Sequence, residues 1–214
     1  MAAPRTQLDP SNVIPLPVGN HHERLSLANA LRRRRTQRSF APLPLTLEEI
    51  GALLWAAQGS TGPDGLRTAP SAGALYPLEL LLVASAVENL PAGSYRYLPF
   101  KHQLQPLAPG EHMPAVAAAA HGQSWMAEAA AVLAFSTIPA RTTDKYGRRG
   151  ERYIHIEVGH AAQNVALEAA AMGLGCGEVG AFDDAAMAAA LGLPAEEQPL
   201  YLLPVGRLSL ETVS

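Results

Sequence analysis

Three rhythms of apolar and polar residues run along this chain, and each predicts a different kind of element. After Thr46, the residues Leu47, Ile50, Leu53, Leu54 and Ala57 recur at helical spacing. Thr46-Leu47-Glu48-Glu49 is a capping box, in which a hydroxyl and a carboxylate satisfy the first free amides of a helix; Gln58-Gly59 ends it. Ser26 is expected to cap a shorter helix with Leu27, Ala30 and Leu31 on one face, running into Arg32-Arg33-Arg34-Arg35. A long helix is expected over residues 149–172, closed by a left-handed Gly173. Asp183 or Asp184 caps a short alanine-rich one. The second rhythm is continuous: residues 78–84 after Pro77, and 131–137 before Pro139, are short apolar runs typical of strands buried on both faces. Residues 200–205 supply another strand, and 94–98 with 102–107 form a hairpin across Pro99-Phe100-Lys101. The third rhythm is a proline-interrupted stretch over residues 1–20, read as an extended arm. Alanine runs at 117–120 and 188–190 read as compositional bias.

Four central strands with unequal helices between them fit a mixed α+β layer rather than regular βαβ winding. Nothing divides residues 21–214, so one domain is expected after the arm. The apolar fraction, 48% against 16% charged, excludes a disordered chain. A formal charge of −3 gives no electrostatic reason for a nucleic-acid partner. No apolar run approaches the roughly 20 residues of a membrane span. The lone Cys176 excludes an internal disulfide and fits a reducing cytoplasm.

Candidate chemistry gathers in a few places. Arg34-Arg35-Thr36-Gln37-Arg38 lies where a helix gives way to extended backbone, so Arg34, Thr36 and Arg38 can converge on one phosphate; a solvated helix end is the bland alternative for Arg32 and Arg33. Gly175-Cys176-Gly177-Glu178-Val179-Gly180 spells G-x-G-x-x-G, but a helix precedes it where a dinucleotide fold requires a strand. Glu157 and His160 make one E-x-x-H, His155 and His160 are poorly spaced, and no H-E-x-x-H occurs, so no metal site is expected. Acyl- and phosphoryl-transfer motifs are missing. Pro70-Ser71-Ala72-Gly73-Ala74, in a run of small residues between two prolines, reads as a tight loop or as backbone laid flat against a planar ligand.

Together Arg34–Arg38, Leu54-Trp55-Ala56-Ala57-Gln58-Gly59, Thr68-Ala69-Pro70-Ser71-Ala72-Gly73-Ala74-Leu75-Tyr76-Pro77, Gly159-His160-Ala161-Ala162-Gln163-Asn164, Gly180-Ala181-Phe182-Asp183 and Leu203-Pro204-Val205-Gly206-Arg207 resemble the nitroreductase superfamily, and specifically its SagB-type dehydrogenase branch. The resemblance spans about residues 25–208. It implies an FMN-binding α+β homodimer with flavin sites between subunits. It assigns Arg34, Arg35, Thr36, Arg38 and Arg207 to the phosphate, ribityl chain and pyrimidine edge. Pro70, Ser71, Ala72 and Gly73 would line the flavin ring, with the backbone of Val179, Gly180 and Ala181 near N5. Ala74 stands where many relatives have asparagine. Lys145-Tyr146 occupies the place of the Lys-Tyr pair of azoline-oxidising members, with Lys145 as base and Tyr146 as relay; the alternative is a solvated turn. The implied substrate is a small-molecule or peptide azoline, with oxygen regenerating the flavin. An NAD(P)H-dependent nitro or quinone reductase is the alternative enzyme, and a non-catalytic flavin-binding protein the third reading.

Overall fold

The computed structural model describes residues 11–18 and 25–209. Its centre is a sheet of eight strands whose pairings are all antiparallel. In chain order they are β1 (Ile14–Pro15), β2 (Phe40–Ala41), β3 (Leu78–Ala84), β4 (Gly93–Leu98), β5 (Gln103–Pro109), β6 (Ala131–Thr137), β7 (Leu174–Cys176) and β8 (Gln198–Leu208). They lie in the order β1-β5-β4-β3-β6-β8-β2, with β7 also pairing β8. The helices are α1 (Leu27–Arg33), α2 (Leu47–Gln58), α3 (Met113–Ala119), α4 (Ala140–Tyr146), α5 (Arg149–Ala171) and α6 (Asp184–Leu191).

Side chains alternate across a strand, so β3 feeds two cores. Leu78, Leu80, Leu82 and Ala84 pack toward Leu53 and Leu54 of α2 and Val158, Ala161 and Val165 of α5. Leu81 and Val83 point the other way, to Val116 of α3 and Met187 and Leu191 of α6. The uniform apolarity of β3 and β6 has this cause: helices cover both faces of the sheet. Thr46 and Glu49 form the expected capping box, Asp183 caps α6, and Gly173 takes φ +71° after α5.

Three expectations need correction. The sheet has eight strands, three more than the five runs read as strands, because β1, β2 and β7 are two- or three-residue pieces whose pairing depends on tertiary register. The 117–120 alanines are not mere bias: Ala117 and Ala119 are buried in α3, where only small side chains let it lie close. In α1, Ser26 does cap the helix, yet Ala30 alone is buried, and Leu27 and Leu31 are 66% and 54% exposed. Of the expected arm, residues 11–18 pair with the β5 edge at Ile14 and bury Leu16; residues 1–10 lie outside the described residues.

Candidate active site

Two clusters of candidate residues flank α5. The first begins where α1 ends. Residues 36–38 run extended beside β7, held by a bridge from Thr36 to Cys176 and by the Gln37 N–H donating to the Cys176 carbonyl at 2.9 Å. Gly177 lets that strand approach, since a Cβ there would stand 2.5 Å from the Gln37 carbonyl oxygen. Alternate side chains then share one side. Arg34, Thr36 and Arg38 line a single open cavity of about 460 Å³ with Gly159, Ala162 and Gln163 of α5, Glu178 and Tyr201. The Glu178 carboxylate accepts from the Thr36 hydroxyl and, at 3.4 Å, from Arg34 Nη1. Among the described residues Arg38 forms no ion pair.

The other residues assigned to a phosphate go elsewhere. Arg35 Nη1 donates to the carbonyls of Arg32 and Arg34, satisfying the C-terminal end of α1. Arg207 forms a two-pronged pair with Glu49, at 2.6 and 2.9 Å, and its Nε donates to the Pro44 carbonyl. Neither lines the Arg38 cavity. Val179 is buried and exchanges both backbone hydrogen bonds with Leu202. Gly180 and Ala181 follow it exposed, and Gly180 packs beside the Tyr201 ring at ordinary contact distance.

The second cluster lies across the helix. Between Ser71 and Tyr76 the backbone turns left-handed at Gly73, Ala74 and Tyr76, with φ of 64°, 53° and 46°. Such values strain any residue with a Cβ. The loop is anchored by the Tyr76 N–H on Ser71 Oγ at 2.9 Å, by the Arg67 N–H on Tyr76 Oη at 3.2 Å, and by Asn164 of α5 on the Thr68 carbonyl. A Cβ at Gly73 would stand 2.7 Å from Tyr146 Oη and 3.0 Å from Lys145 Nζ. The small-residue loop and the Lys-Tyr pair therefore meet, although 72 positions separate Gly73 from Lys145. Helix α4 carries that pair and is pinned by Arg141, which bonds Glu79 at 2.7 Å and the Tyr76 carbonyl at 3.2 Å. Tyr146 also meets the edge of Tyr153 on α5. Lys145 is exposed in the single chain, so the desolvated lysine expected of a base is not present there.

Behind this loop lie Glu157, which the sequence offered only as part of an E-x-x-H, and Arg67, to which it gave no role. Glu157 is buried, and burial pushes its carboxyl up to about 7. Arg67 stacks over Tyr76 at 4.4 Å and donates to Gln58 Oε1 at 2.8 Å. A signal existed for Glu157, a carboxylate on the apolar stripe of Ile154, Val158, Ala161 and Val165. Among the described residues no group of three or more His, Cys, Asp or Glu side chains could hold a metal.

The sequence matches the nitroreductase family over residues 31–207, which includes every element just described except β1, the start of α1 and the last residue of β8. The chain belongs to the nitroreductase family. It is thus an oxidoreductase of a flavin-dependent family. A Methanocaldococcus jannaschii protein provisionally named a nitroreductase is 43% identical over 86% of this chain and 92% of its own length. The microcin B17-processing protein McbC of Escherichia coli is 33% identical over 61% of this chain and 50% of its own. A solved nitroreductase-like structure from Ralstonia eutropha matches with TM-score 0.82 and 27% identity, covering 98% of this chain and 96% of the other. The E. coli microcin synthetase McbBCD complex, solved with truncated pro-MccB17 bound, contains a chain matching with TM-score 0.70 and 27% identity over 84% of this chain and 73% of that one. Among the described residues no helix is long and apolar enough to cross a membrane.

Proposed function

We propose that this protein is an FMN-dependent dehydrogenase of the SagB type, oxidising a thiazoline or oxazoline and working as a cytoplasmic homodimer. The contact of Gly73 with Lys145 and Tyr146 carries this reading. It sets a base and a hydroxyl beside a wall of small residues, the arrangement that proton removal next to a planar acceptor requires. The similarity to McbC, a protein named for processing microcin B17, supports the same substrate class.

The residues present fit the cofactor. Arg38, in no ion pair among the described residues, offers a cation for its phosphate. Arg34, Thr36 and Glu178 offer donors and acceptors for ribityl hydroxyls, and Gly159 and Ala162 leave room beneath the ring. The exposed backbone of Gly180 and Ala181 suits the N5 edge. When bound, FMN supplies a two-electron acceptor for hydride from carbon.

Placement on α5 supports the dimer. Glu157 and Asn164 are seven residues apart and share the face beneath the Ser71 loop, whereas Gly159 points about 200° away at roughly 100° per residue. One chain therefore presents the Arg38 cavity and the Lys145 loop on opposite sides. A second copy would bring its Pro70, Ser71, Ala72 and Gly73, with its Lys145 and Tyr146, over the first copy's cavity. Covering Lys145 in this way removes water from the amine, which favours its neutral, proton-accepting form. Lys145 Nζ takes the proton from the substrate's ring carbon, and the Tyr146 hydroxyl orients the ring.

The 43% identity to a protein named a nitroreductase favours a second reading, reduction of nitro or quinone compounds by NAD(P)H. The two separate in anaerobic single-turnover mixing of the yellow holoenzyme with a thiazoline-containing peptide or with NAD(P)H. Flavin bleaching by the thiazoline with formation of the thiazole is the expected result. Bleaching by NAD(P)H alone would give the protein to the second reading. Purified protein without flavin absorbance would remove both.

A further inference from the structure

The loop that carries Gly73 and the helix that carries Lys145 are stitched together where both leave the sheet. The Pro77 carbonyl accepts from the Ile138 N–H at 2.9 Å and from the Thr137 hydroxyl at 3.3 Å. One residue further into the loop, the Tyr76 carbonyl accepts from Arg141 Nη1 at 3.2 Å, and the same nitrogen meets Glu79 Oε1 at 2.7 Å. Glu79 is itself held. Its other oxygen accepts from Arg96 Nη1 at 2.9 Å, and Arg96 Nη2 donates to Glu197 Oε1 at 2.7 Å. Glu197 Oε2 in turn accepts from the Ser136 hydroxyl at 2.8 Å. Arg141 thus ends a chain of alternating charges that crosses β3, β4 and β6, in which each carboxylate bonds through both oxygens. The far end is buried at Glu197, whereas the Arg141 side chain is 40% exposed.

We infer that Arg141 is a positioning residue: by bonding the sheet at Glu79 and the loop at Tyr76 through one nitrogen, it sets Lys145 and Tyr146 at their distance from Gly73. The functional part of this inference rests on the reading of Lys145 and Tyr146 as the reacting groups. A half-exposed ion pair adds little to stability; what this one fixes is place. Lys145 follows Arg141 by four residues, one turn of α4 and roughly 6 Å along its axis, so a helix held at Arg141 is held at Lys145. On the loop side, Tyr76 ends the left-handed stretch, with φ of 46°. Strained backbone persists only where its surroundings hold it. The Tyr76 N–H on Ser71 Oγ and the Tyr76 carbonyl on Arg141 supply that hold from both sides of the residue. Without Arg141 the helix and the loop lose their shared anchor and can drift apart. The Arg38 cavity draws none of its lining from either segment, so flavin binding is left alone.

Arg141→Ala in the flavin-loaded protein tests this twice. Hydrogen exchange needs no substrate: amides of the 71–77 loop and of the second half of α4 should exchange faster together, while those of residues 36–38 stay as in the wild type. With a thiazoline substrate, kcat should fall on the order of 10–10²-fold, the effect of misplacing a reacting group by about 1 Å, with KM and flavin content nearly unchanged. Methylguanidinium, added well below denaturing concentration, fits the space left beside Glu79 and should restore part of both the protection and the kcat. It should restore no turnover in Lys145→Ala, where the base itself is gone. Unchanged exchange of the 71–77 loop in Arg141→Ala would overturn the inference, as would a loss carried by KM instead of kcat. Should Arg141→Ala fail to fold, Arg141→Met, which keeps the packing of the stem and lacks the donors, decides by the same exchange and kcat. A wild type that oxidises no thiazoline would sink the proposed function and leave the exchange result to judge the anchor. Thiazoline oxidation as fast in Arg141→Ala as in the wild type would sink this inference alone.

Discussion

The α5 face that carries Gly159, Ala162 and Gln163 and the face that carries Glu157 differ in nearly every physical respect. The first is open and cationic, with Arg38 in no ion pair among the described residues and the side chains of Arg34 and Thr36 bonded to Glu178. Its residues are one extended strand set against β7, and little strain is needed to place them. The second is buried at its base and strained at its tip, where three hydrogen bonds hold a left-handed turn against Lys145 and Tyr146. Holding an anion needs only fixed donors in a hollow. Moving a proton, as proposed for Lys145, needs a base at a defined distance, and there the loop holds Gly73 against Lys145 and Tyr146.

The comparison breaks most visibly at Lys145. Lys145→Ala should keep the fold and flavin and lose thiazoline oxidation by roughly 10²–10⁴-fold, the usual worth of a general base. Tyr146→Phe should cost less, since its ring and the edge contact with Tyr153 stay. Rapid-mixing absorbance measures both, and unimpaired oxidation in Lys145→Ala would make that residue a surface lysine.

Next in size is the pH dependence of stability. Glu157 has a folded pKa of about 7 against an ordinary 4.5. Its raised value means the folded state holds the proton more tightly. The stability it contributes is complete below about 4.5 and lost as pH rises through about 7, on the order of 3 kcal/mol in all. Urea unfolding of Glu157→Gln should lack that decline; an unchanged pH slope would show that the carboxyl titrates normally.

Smaller effects belong to the open face. Arg38→Ala should weaken FMN binding by about 1.5–3 kcal/mol, the range for a hydrogen bond to a charged group. Arg207→Ala should leave flavin content alone and lower stability by about 1 kcal/mol or less, because its guanidinium serves Glu49 at a partly exposed ion pair. Flavin loss in Arg207→Ala would return that arginine to the phosphate.

Much of this was legible in the amino-acid sequence, and the reasons differ by region. β3 and β6 are apolar without a break because helices cover both sheet faces, so their ends fall where the pattern ends. Helices α2 and α6 declared themselves through capping side chains, Thr46 with Glu49 and Asp183. Helix α4 did not: Ala140–Tyr146 has no apolar stripe, and its place is fixed by Arg141 reaching Glu79 and Tyr76. The small pieces β2 and β7 exist because Gly175 and Gly206 leave space for the Phe40 ring, a fact of packing rather than of spacing. Arg34, Thr36 and Arg38 could be grouped by alternation along extended backbone. The engagement of Arg207 by Glu49 could not, since each residue alone looks like a solvated charge.

The central claim is that one working site needs the open face of one chain and the strained face of another, and subunit mixing tests it most directly. Arg38→Ala chains, assayed at an FMN concentration that fills the wild-type site and leaves theirs largely empty, and Lys145→Ala chains, which lack the base, are unfolded together and refolded, and turnover of the thiazoline is measured at that FMN concentration. If the site spans two chains, each mixed dimer holds one intact site, and activity should return to about a quarter of wild type for random twofold pairing. If Arg38 and Lys145 serve a site within one chain, every site in the mixture carries one lesion, and no activity should return.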